Sequence, residues 1–371
     1  MEEWKEYKLG DVLTIKYGKD HKQLADGDIP IYGSGGIMRY GERSLYDGPS
    51  ILIPRKGSLN NVIYADKPFW TVDTMFWSII NASIANPLFV YYSICKKDFA
   101  SLNVGSAVPS LTVPVIEDID ILLPSKATQD KVVSVLKSLD DKIELNRHIN
   151  DNLERQAQAL FKSWFVDFEP FLREEFFKSD SLFGDIPVEW HIVAIKDLSV
   201  YITDYVANGS FASLRENVRL YDKPNYAHFI RNTDLKAESY KMYVDKHSYE
   251  FLSKSVLEGG EIIISNVGDV GSVFLCPKLK KPMTLGNNII LLRPKKDYLT
   301  FYLYMLFKGG IGQHLIDGVT GGSAQRKFNK TDFKSIKLMM PPVNILIKFD
   351  RIVKPIFSKI EENRDEISRL T

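Results

Sequence analysis

Cysteine is almost missing from this chain: Cys95 and Cys276 are the only two in 371 residues. Two thiols in unrelated apolar surroundings cannot make a disulfide framework or a zinc knuckle, and they suit a reducing, cytoplasmic compartment. Charge of one sign is lacking too. With 48 basic and 47 acidic residues the formal net charge is +1, so a nucleic-acid surface has to come from local clustering. The start, Met-Glu-Glu-Trp-Lys, has neither the basic opening nor the apolar run of a signal peptide. Thr74–Cys95 carries no charge and is long enough to span a bilayer. Asn81, Asn86 and Pro87 interrupt it, however, and its later counterpart, Asn287–Phe307, holds Lys295, Lys296 and Asp297 at the same place. The stretch therefore reads as a buried strand (Met75–Ile80), a turn and a core helix (Pro87–Lys96), with no membrane crossing.

Catalytic constellations are absent as well. The six histidines are scattered without HxxxH or HxH spacing, which implies no metal site. No GxxxxGK[ST] phosphate loop occurs, and Gly33-Ser-Gly-Gly36 has no helix after it to make a nucleotide cradle. The Asn-Pro-Pro-Tyr and Asp-Pro-Pro-Tyr signatures of amino-methyltransferases are missing. So is any Pro-Asp dipeptide with which a nuclease carboxylate motif begins. A free-standing nuclease or methyltransferase is disfavoured, and no cofactor is expected on this chain.

What is present is a plan written twice. Hydrophobic residues make up 44% and charged residues 26%, the balance of a globular chain, and the length suffices for two domains with cores. Gln129–Phe168 has no Pro or Gly, and Val132, Leu136, Leu139, Ile143, Asn146, Asn150, Leu153, Ala157, Leu160 and Trp164 recur every three or four residues. That a/d seam predicts one long helix lying against another. The C-terminus repeats it through Phe349, Val353, Ile356, Ile360, Asn363, Ile367 and Leu370, and Lys142–Arg147 (KIELNR) returns as Lys359–Arg364 (KIEENR). Asn146 and Asn363 both fall on the apolar seam, where a polar residue costs stability but fixes register.

The same doubling runs through the remainder. Trp4–Asp11 corresponds to Trp190–Asp197. Ser50–Val62 corresponds to Glu261–Val273, with Gly57 and Gly268 as the shared glycines, and Gly105-Ser-Ala corresponds to Gly322-Ser-Ala. The offset between the copies widens around Tyr201–Glu250, so the second copy has gained residues there. A held frame with divergent loops points to a structural frame and selective loops. Those loops combine Arg or Lys with Gly, Ser and amide side chains, a mixture suited to phosphates and base edges. The candidate DNA contacts are Tyr32, Ser34, Arg39, Arg55, Lys56, Asn60 and Asn61 in the first copy. In the second they are Arg231, Asn232, Asn266, Ser323, Gln325 and Lys327.

The order of parts resembles the specificity (DNA-recognition) subunit of type I restriction–modification systems. The likeness is carried by Ile31-Tyr-Gly-Ser-Gly-Gly36, Phe229–Leu235 (FIRNTDL), Gly260–Gly271 (GEIIISNVGDVG), Asn287–Pro294 (NNIILLRP) and above all Leu139–Asn150 (LDDKIELNRHIN). It implies an α/β fold: two target-recognition domains related by internal duplication, 1–128 and 169–342, separated by two long antiparallel coiled-coil-like helices. The helices would be a central spacer, 129–168, and a C-terminal one, 343–371, shortened relative to the first. Each domain would read one part of an asymmetric bipartite site in double-stranded DNA, at a spacing the helices set. A rod of about 35 residues would span roughly 50 Å.

By the same resemblance Leu136, Leu139, Ile143, Asn146, Leu153, Trp164, Val353, Ile356, Ile360 and Asn363 form the seam or dock partners. Those partners would be two methyltransferase subunits, joined by restriction/translocase subunits, with self-association through the helices as a further option. The methyl donor, ATP and Mg would sit on them, leaving this chain non-catalytic. Two departures stand out. Thr371 matches Glu154, so the second helix stops where the first continues, and Pro355 replaces the equivalent of Ser138, where it should kink the helix or displace its start. The short helix motivates a second reading: a specificity-subunit-like protein that controls assembly or inhibits restriction by titrating methyltransferase subunits.

Overall fold

The fold was derived from a computed structural model, which describes residues 4–105, 107–178, 182–322 and 325–371. The chain divides into two compact units, residues 1–142 and 143–371. The boundary falls inside one 40-residue helix, α1 (Lys126–Phe165).

Among the described residues the first unit holds three small sheets. Lys5–Lys8 pairs antiparallel with Asp120–Leu123. Four antiparallel strands follow in the order Leu13–Tyr17, Met75–Ile80, Ser50–Pro54 and Ile63–Ala65. Ser50–Pro54 is buried at every position, which is why it reads as an unbroken apolar run rather than an alternating one. A three-stranded sheet places Ile29–Gly33 between Gly36–Gly41 and Trp70–Thr71, the latter pair parallel. The uncharged stretch resolves as expected into the strand Met75–Ile80 and the helix Pro87–Ile94. Asn86 caps that helix by accepting from the amides of Leu88 and Phe89, and Pro87 fits its first turn. The start of α1 is tied to the same helix by Gln129. Its side chain is fully buried, donates to the carbonyls of Ile84 and Pro124 at 3.0 Å each, and accepts from the Asn86 amide at 2.8 Å.

The second unit repeats this frame. His191–Ala194 pairs with Lys337–Met340, and a four-stranded sheet runs Val200–Asp204, Ile289–Pro294, Ile262–Ser265, Val273–Leu275. The third sheet again holds a parallel pair, Ala227–Ile230 with Met283–Leu285, but has five strands rather than three. One of the two additional strands, Leu220–Tyr221, lies in the stretch where the second copy is longer, so the insertion enlarges a sheet.

A second long helix, α2 (Val343–Leu370), packs against α1 within this unit. Asn146 meets Glu366, Asn150 meets Asn363 and Phe161 meets Phe349, so one index falls as the other rises and the pair is antiparallel. Both seam asparagines are nearly sealed from water, at 1% and 2% exposure, and each donates a hydrogen bond of 2.8 Å to the opposite helix. Within the second unit the seam departs from its expected positions at two places. Beyond Ala157, Phe161 and Phe165 are buried and Leu160 and Trp164 only half-buried. On α2, Phe357 is buried and Ile356 half-buried. Both shifts occur where the helices also face the globular core. Phe165 contacts Tyr302 and Trp190 at ring separations of 5.0 and 5.8 Å, and Phe357 stacks on Phe301 at 4.5 Å. Aromatic pairs at such distances add about 0.5–1.5 kcal/mol beyond burial, so they set the helix rotation over a strict heptad. In the first unit, Leu136 is half-buried and Leu139 is exposed rather than sealed in a seam. Pro355 lies on the exposed side of α2, which starts twelve residues earlier at Val343. The helix start is therefore not displaced.

Candidate nucleic-acid interface

The two copies bring the same three backbone segments together by the same hydrogen bonds. In the first unit the Ser50–Pro54 strand runs into a turn at Gly57 (φ +89°), and this turn is laced to Pro109–Leu111. Leu111 N donates to Arg55 O at 2.9 Å, Gly57 N donates to Pro109 O at 3.2 Å, and Lys56 bridges Ser110. In the second unit Ile262–Ser265 runs into a turn at Gly268 (φ +78°). Phe328 N donates to Asn266 O at 3.1 Å, Gly268 N donates to Arg326 O at 3.1 Å, and Val267 bridges Lys327. Only glycine adopts a positive φ of this kind without strain, which accounts for the residue shared at that point of both copies.

Each turn is also fixed from behind, by opposite means. Asn60, on the first turn, donates to Asp98 Oδ1 at 3.1 Å and accepts from Ala100 N at 2.8 Å. In the second unit the anchor comes from the helix Gly310–Gly318: Gln313 Nε2 donates to Gly271 O at 2.8 Å and to Phe307 O at 2.6 Å. Asn61 Nδ2 donates to Ser34 O at 2.9 Å and so joins the Gly57 turn to the Ile29–Gly41 hairpin.

The candidates chosen from sequence fall into two groups. Arg55 and Lys56 lie on the first turn, and Gln325 and Lys327 on the segment laced to the second, with side chains half or fully exposed. The Arg55 guanidinium sits over the Tyr17 ring, 5.4 Å from its centroid, and reaches the Asp73 carbonyl at 3.4 Å, which presents a cation on an aromatic platform. Tyr32 and Ser34 sit half-buried at the hairpin beside the Gly57 turn, and burial pushes the Tyr32 hydroxyl pKa up.

The others are occupied inside the protein. Asn60 and Asn61 spend their amides as above. Arg39 donates to the carbonyls of Leu24 and Ala25 and pairs with Asp26 at 3.7 Å. Arg231 forks onto Asp234 through Nε at 2.9 Å and Nη2 at 2.7 Å, capping the helix Asn232–Ala237. Asn266 donates to Phe328 O at 3.2 Å, and Asn232 donates to Asp269 at 3.2 Å. Ser323 lies outside the described residues.

Sequence reasoning missed Asp269, which the second turn is gathered around. It accepts from Lys236 at 2.6 Å, from Ser272 Oγ at 2.5 Å and from Asn232, and these bonds, Lys236 foremost, hold its carboxyl at about 2. Its place in Gly268-Asp-Val-Gly271 was the one available signal; Gln313 gave none. Among the described residues no group of three His, Cys, Asp or Glu could hold a metal ion. Among the same residues no helix is long and apolar enough to cross a membrane.

A family model described as the type I restriction modification DNA specificity domain matches residues 1–155 and 187–369. The chain is 26% identical over 383 residues to the MjaIX type I restriction enzyme specificity subunit of Methanocaldococcus jannaschii, covering 98% of this chain and 84% of that one. It is 23% identical over 456 residues to the HindI specificity subunit of Haemophilus influenzae, covering 100% and 97%. The fold resembles the crystal structure of a type I restriction–modification S subunit from M. genitalium, with a TM-score of 0.58, 15% identity and coverage of 100% and 93%.

Proposed function

The chain belongs to the family of type I restriction–modification DNA specificity domains, and on that premise we propose that it reads one bipartite DNA site with two unlike heads. Its partners are DNA and the other subunits of such a system. The first head comprises residues 1–128 and the second 169–342, with 129–168 and 343–371 as the spacer helices that fix the gap between the two parts. Methyltransferase subunits dock along those helices, the restriction subunits join that complex, and the methyl donor, ATP and Mg act on the partners. The observation that carries this reading is the twice-built glycine turn, with identical backbone lacing and different side chains at matching positions. Lys56 stands where the second copy has Val267, and Ser110 stands where it has Lys327. A fixed frame with exchanged side chains is what two readers of different sequences need, because phosphate contacts set position while side chains on base edges set sequence.

The test is an exchange. Residues 1–128 are replaced by the first head of a related subunit, and the hybrid is assembled with its methyltransferase subunits. The methylated motif is then mapped on genomic DNA. One part of the motif should change and the other should persist at the same spacing. Change in both parts, or in neither, overturns the reading. Binding should also weaken steeply with salt, since Lys and Arg contacts release counterions. A chain that binds methyltransferase subunits but supports no site-specific methylation would instead fit the titrating role.

A further inference from the structure

We infer that the Ile29–Gly41 hairpin of the first unit is a wedge that presses Ile37 and Met38 against one base-pair step of the half-site this unit reads. The inference rests on the DNA-reading function above and adds a mode of recognition to it. Three of the five residues from Ile37 to Gly41 are large, apolar and open to water: Ile37 at 50%, Met38 at 58% and Tyr40 at 51%. Single exposed apolar residues need no explanation, but a cluster on one hairpin end marks a surface that something covers.

The backbone shows how the cluster is aimed. Tyr32 pairs with Ile37 and Ile31 with Arg39, so Met38 is the extra residue of a β-bulge. Bulges re-aim side chains and recur beside functional sites. Met38 swings over Gly33, where a Cβ would stand 2.5 Å from its sulfur. Arg39, the one charge on the strand, is turned back onto Leu24, Ala25 and Asp26, so the strand's exposed large side chains are uncharged. At the tip, nothing lies within 4 Å of a Cβ built on Gly35 or Gly36, so the backbone can approach another surface closely.

Position selects the occupant. Asn61 ties the hairpin tip to the Gly57 turn through Ser34, and that turn carries Arg55 and Lys56. An apolar point flanked by cations suits duplex DNA: the cations hold phosphates while an Ile or Met side chain opens a base step from the minor groove. In the second unit the strand in the corresponding place is Tyr243–Val244, only two residues long, with Val244 fully buried. The deformation should therefore occur in one half of the site only. It should favour flexible pyrimidine–purine steps there, giving selectivity at a position no polar side chain touches.

The test uses the full chain assembled with its methyltransferase subunits, and duplexes carrying 2-aminopurine at successive steps of the methylated site. Apart from the methylation target in each half, which the methyltransferase subunits flip out of the stack, wild type should raise the fluorescence several-fold at one step of the half read by the first unit and at none in the other half. The double variant Ile37→Ser/Met38→Ser should abolish that rise and weaken specific binding by about tenfold, some 1.4 kcal/mol. Met38→Leu should retain the signal. Both variants alter exposed side chains, and an unchanged melting temperature confirms folding.

Site-specific methylation without unstacking at any step overturns the wedge and leaves the two-headed reading intact. Absence of any specific site overturns both. Variants that fold but fail to assemble with methyltransferase subunits would show a protein-docking patch instead, and variants that assemble and unstack normally would equally overturn the wedge.

Discussion

Asn363 donates a 2.8 Å hydrogen bond to Asn150 across α1 and α2, a polar contact on the otherwise largely apolar seam that Asn146 also interrupts. Leucine at both positions would fill the seam, so what the polar pair contributes is register rather than strength. Asn363→Ala should destabilise the second unit by about 1–3 kcal/mol, because Asn363 is buried and its partner's acceptor is left unmet. A double-mutant cycle with Asn150→Ala should return about 1 kcal/mol of coupling in thermal or urea unfolding. A coupling near zero would mean that the two amides merely coincide.

Arg231 should matter for folding more than for sequence choice. Its guanidinium grips Asp234 by two bonds, with Asp234 only 6% exposed at its side chain. Lysine cannot reproduce a planar fork, so Arg231→Lys should lower the unfolding free energy by about 1–2 kcal/mol. The motif methylated by the assembled complex should stay the same. A changed motif with unchanged stability would return Arg231 to the base-reading set.

Arg231 also shows why the sequence was readable in frame and not in detail. A long helix without Pro or Gly, a repeated hexapeptide and matching strand–glycine turns are periodic signals, and backbone geometry follows periodicity directly. Side-chain employment does not. Arg and amide residues in a polar loop suit a base edge and an internal cap equally well, and only the aspartate three positions after Arg231 hinted at the cap. Asn60 was ambiguous in the same way, since its partners Asp98 and Ala100 lie some forty residues onward. The seam slid from Leu160 and Trp164 to Phe161 and Phe165 because its partner there is the core around Tyr302, which no heptad encodes.

Acid should loosen the second unit through Glu154. This α1 carboxylate accepts from Tyr304 at 2.8 Å and pairs with Lys308. Burial works to raise its pKa from 4.5, but the Lys308 and Tyr304 bonds together outweigh burial and hold it lower. A carboxyl depressed on folding stabilises fully above its unfolded pKa, and that contribution is lost as pH falls through the folded value. Stability of the wild type should therefore decline below about pH 4.5. Glu154→Gln should be less stable at pH 7 and show a shallower decline over the same acid range. Parallel acid limbs in the two proteins would exclude this linkage.

Gln313 should act as a positioning residue for the second turn. It touches the turn only at the Gly271 carbonyl, and its other bond holds it to Phe307 within the unit. Gln313→Ala removes the hold on the Gly271 carbonyl while leaving the lacing to Arg326 and Phe328 and the turn's own side chains in place. Discrimination at the half-site read by the second unit should fall by the equivalent of one mismatched base pair, about 1–3 kcal/mol, with the first half unaffected. Competition binding with singly mismatched duplexes would measure both halves in one experiment, and an equal loss in each would point to global unfolding instead.

The shared glycines allow strain and crowding to be separated. At Gly268 (φ +78°) a Cβ would meet nothing within 4 Å, so Gly268→Ala carries only the left-handed backbone penalty, about 1–2 kcal/mol. At Gly57 (φ +89°) the new carbon would stand 2.8 Å from Ser34 Oγ, and Ser34 belongs to the hairpin that Asn61 tethers. Gly57→Ala should therefore cost more than Gly268→Ala and also disturb the hairpin tip. Adding Ser34→Gly removes the contact without relieving the backbone, so the double variant should recover to about the Gly268→Ala penalty and no further. Melting temperatures of the three variants decide it: full recovery of wild-type stability would show that φ at Gly57 carries no strain, and the argument for a glycine common to both turns would fail there.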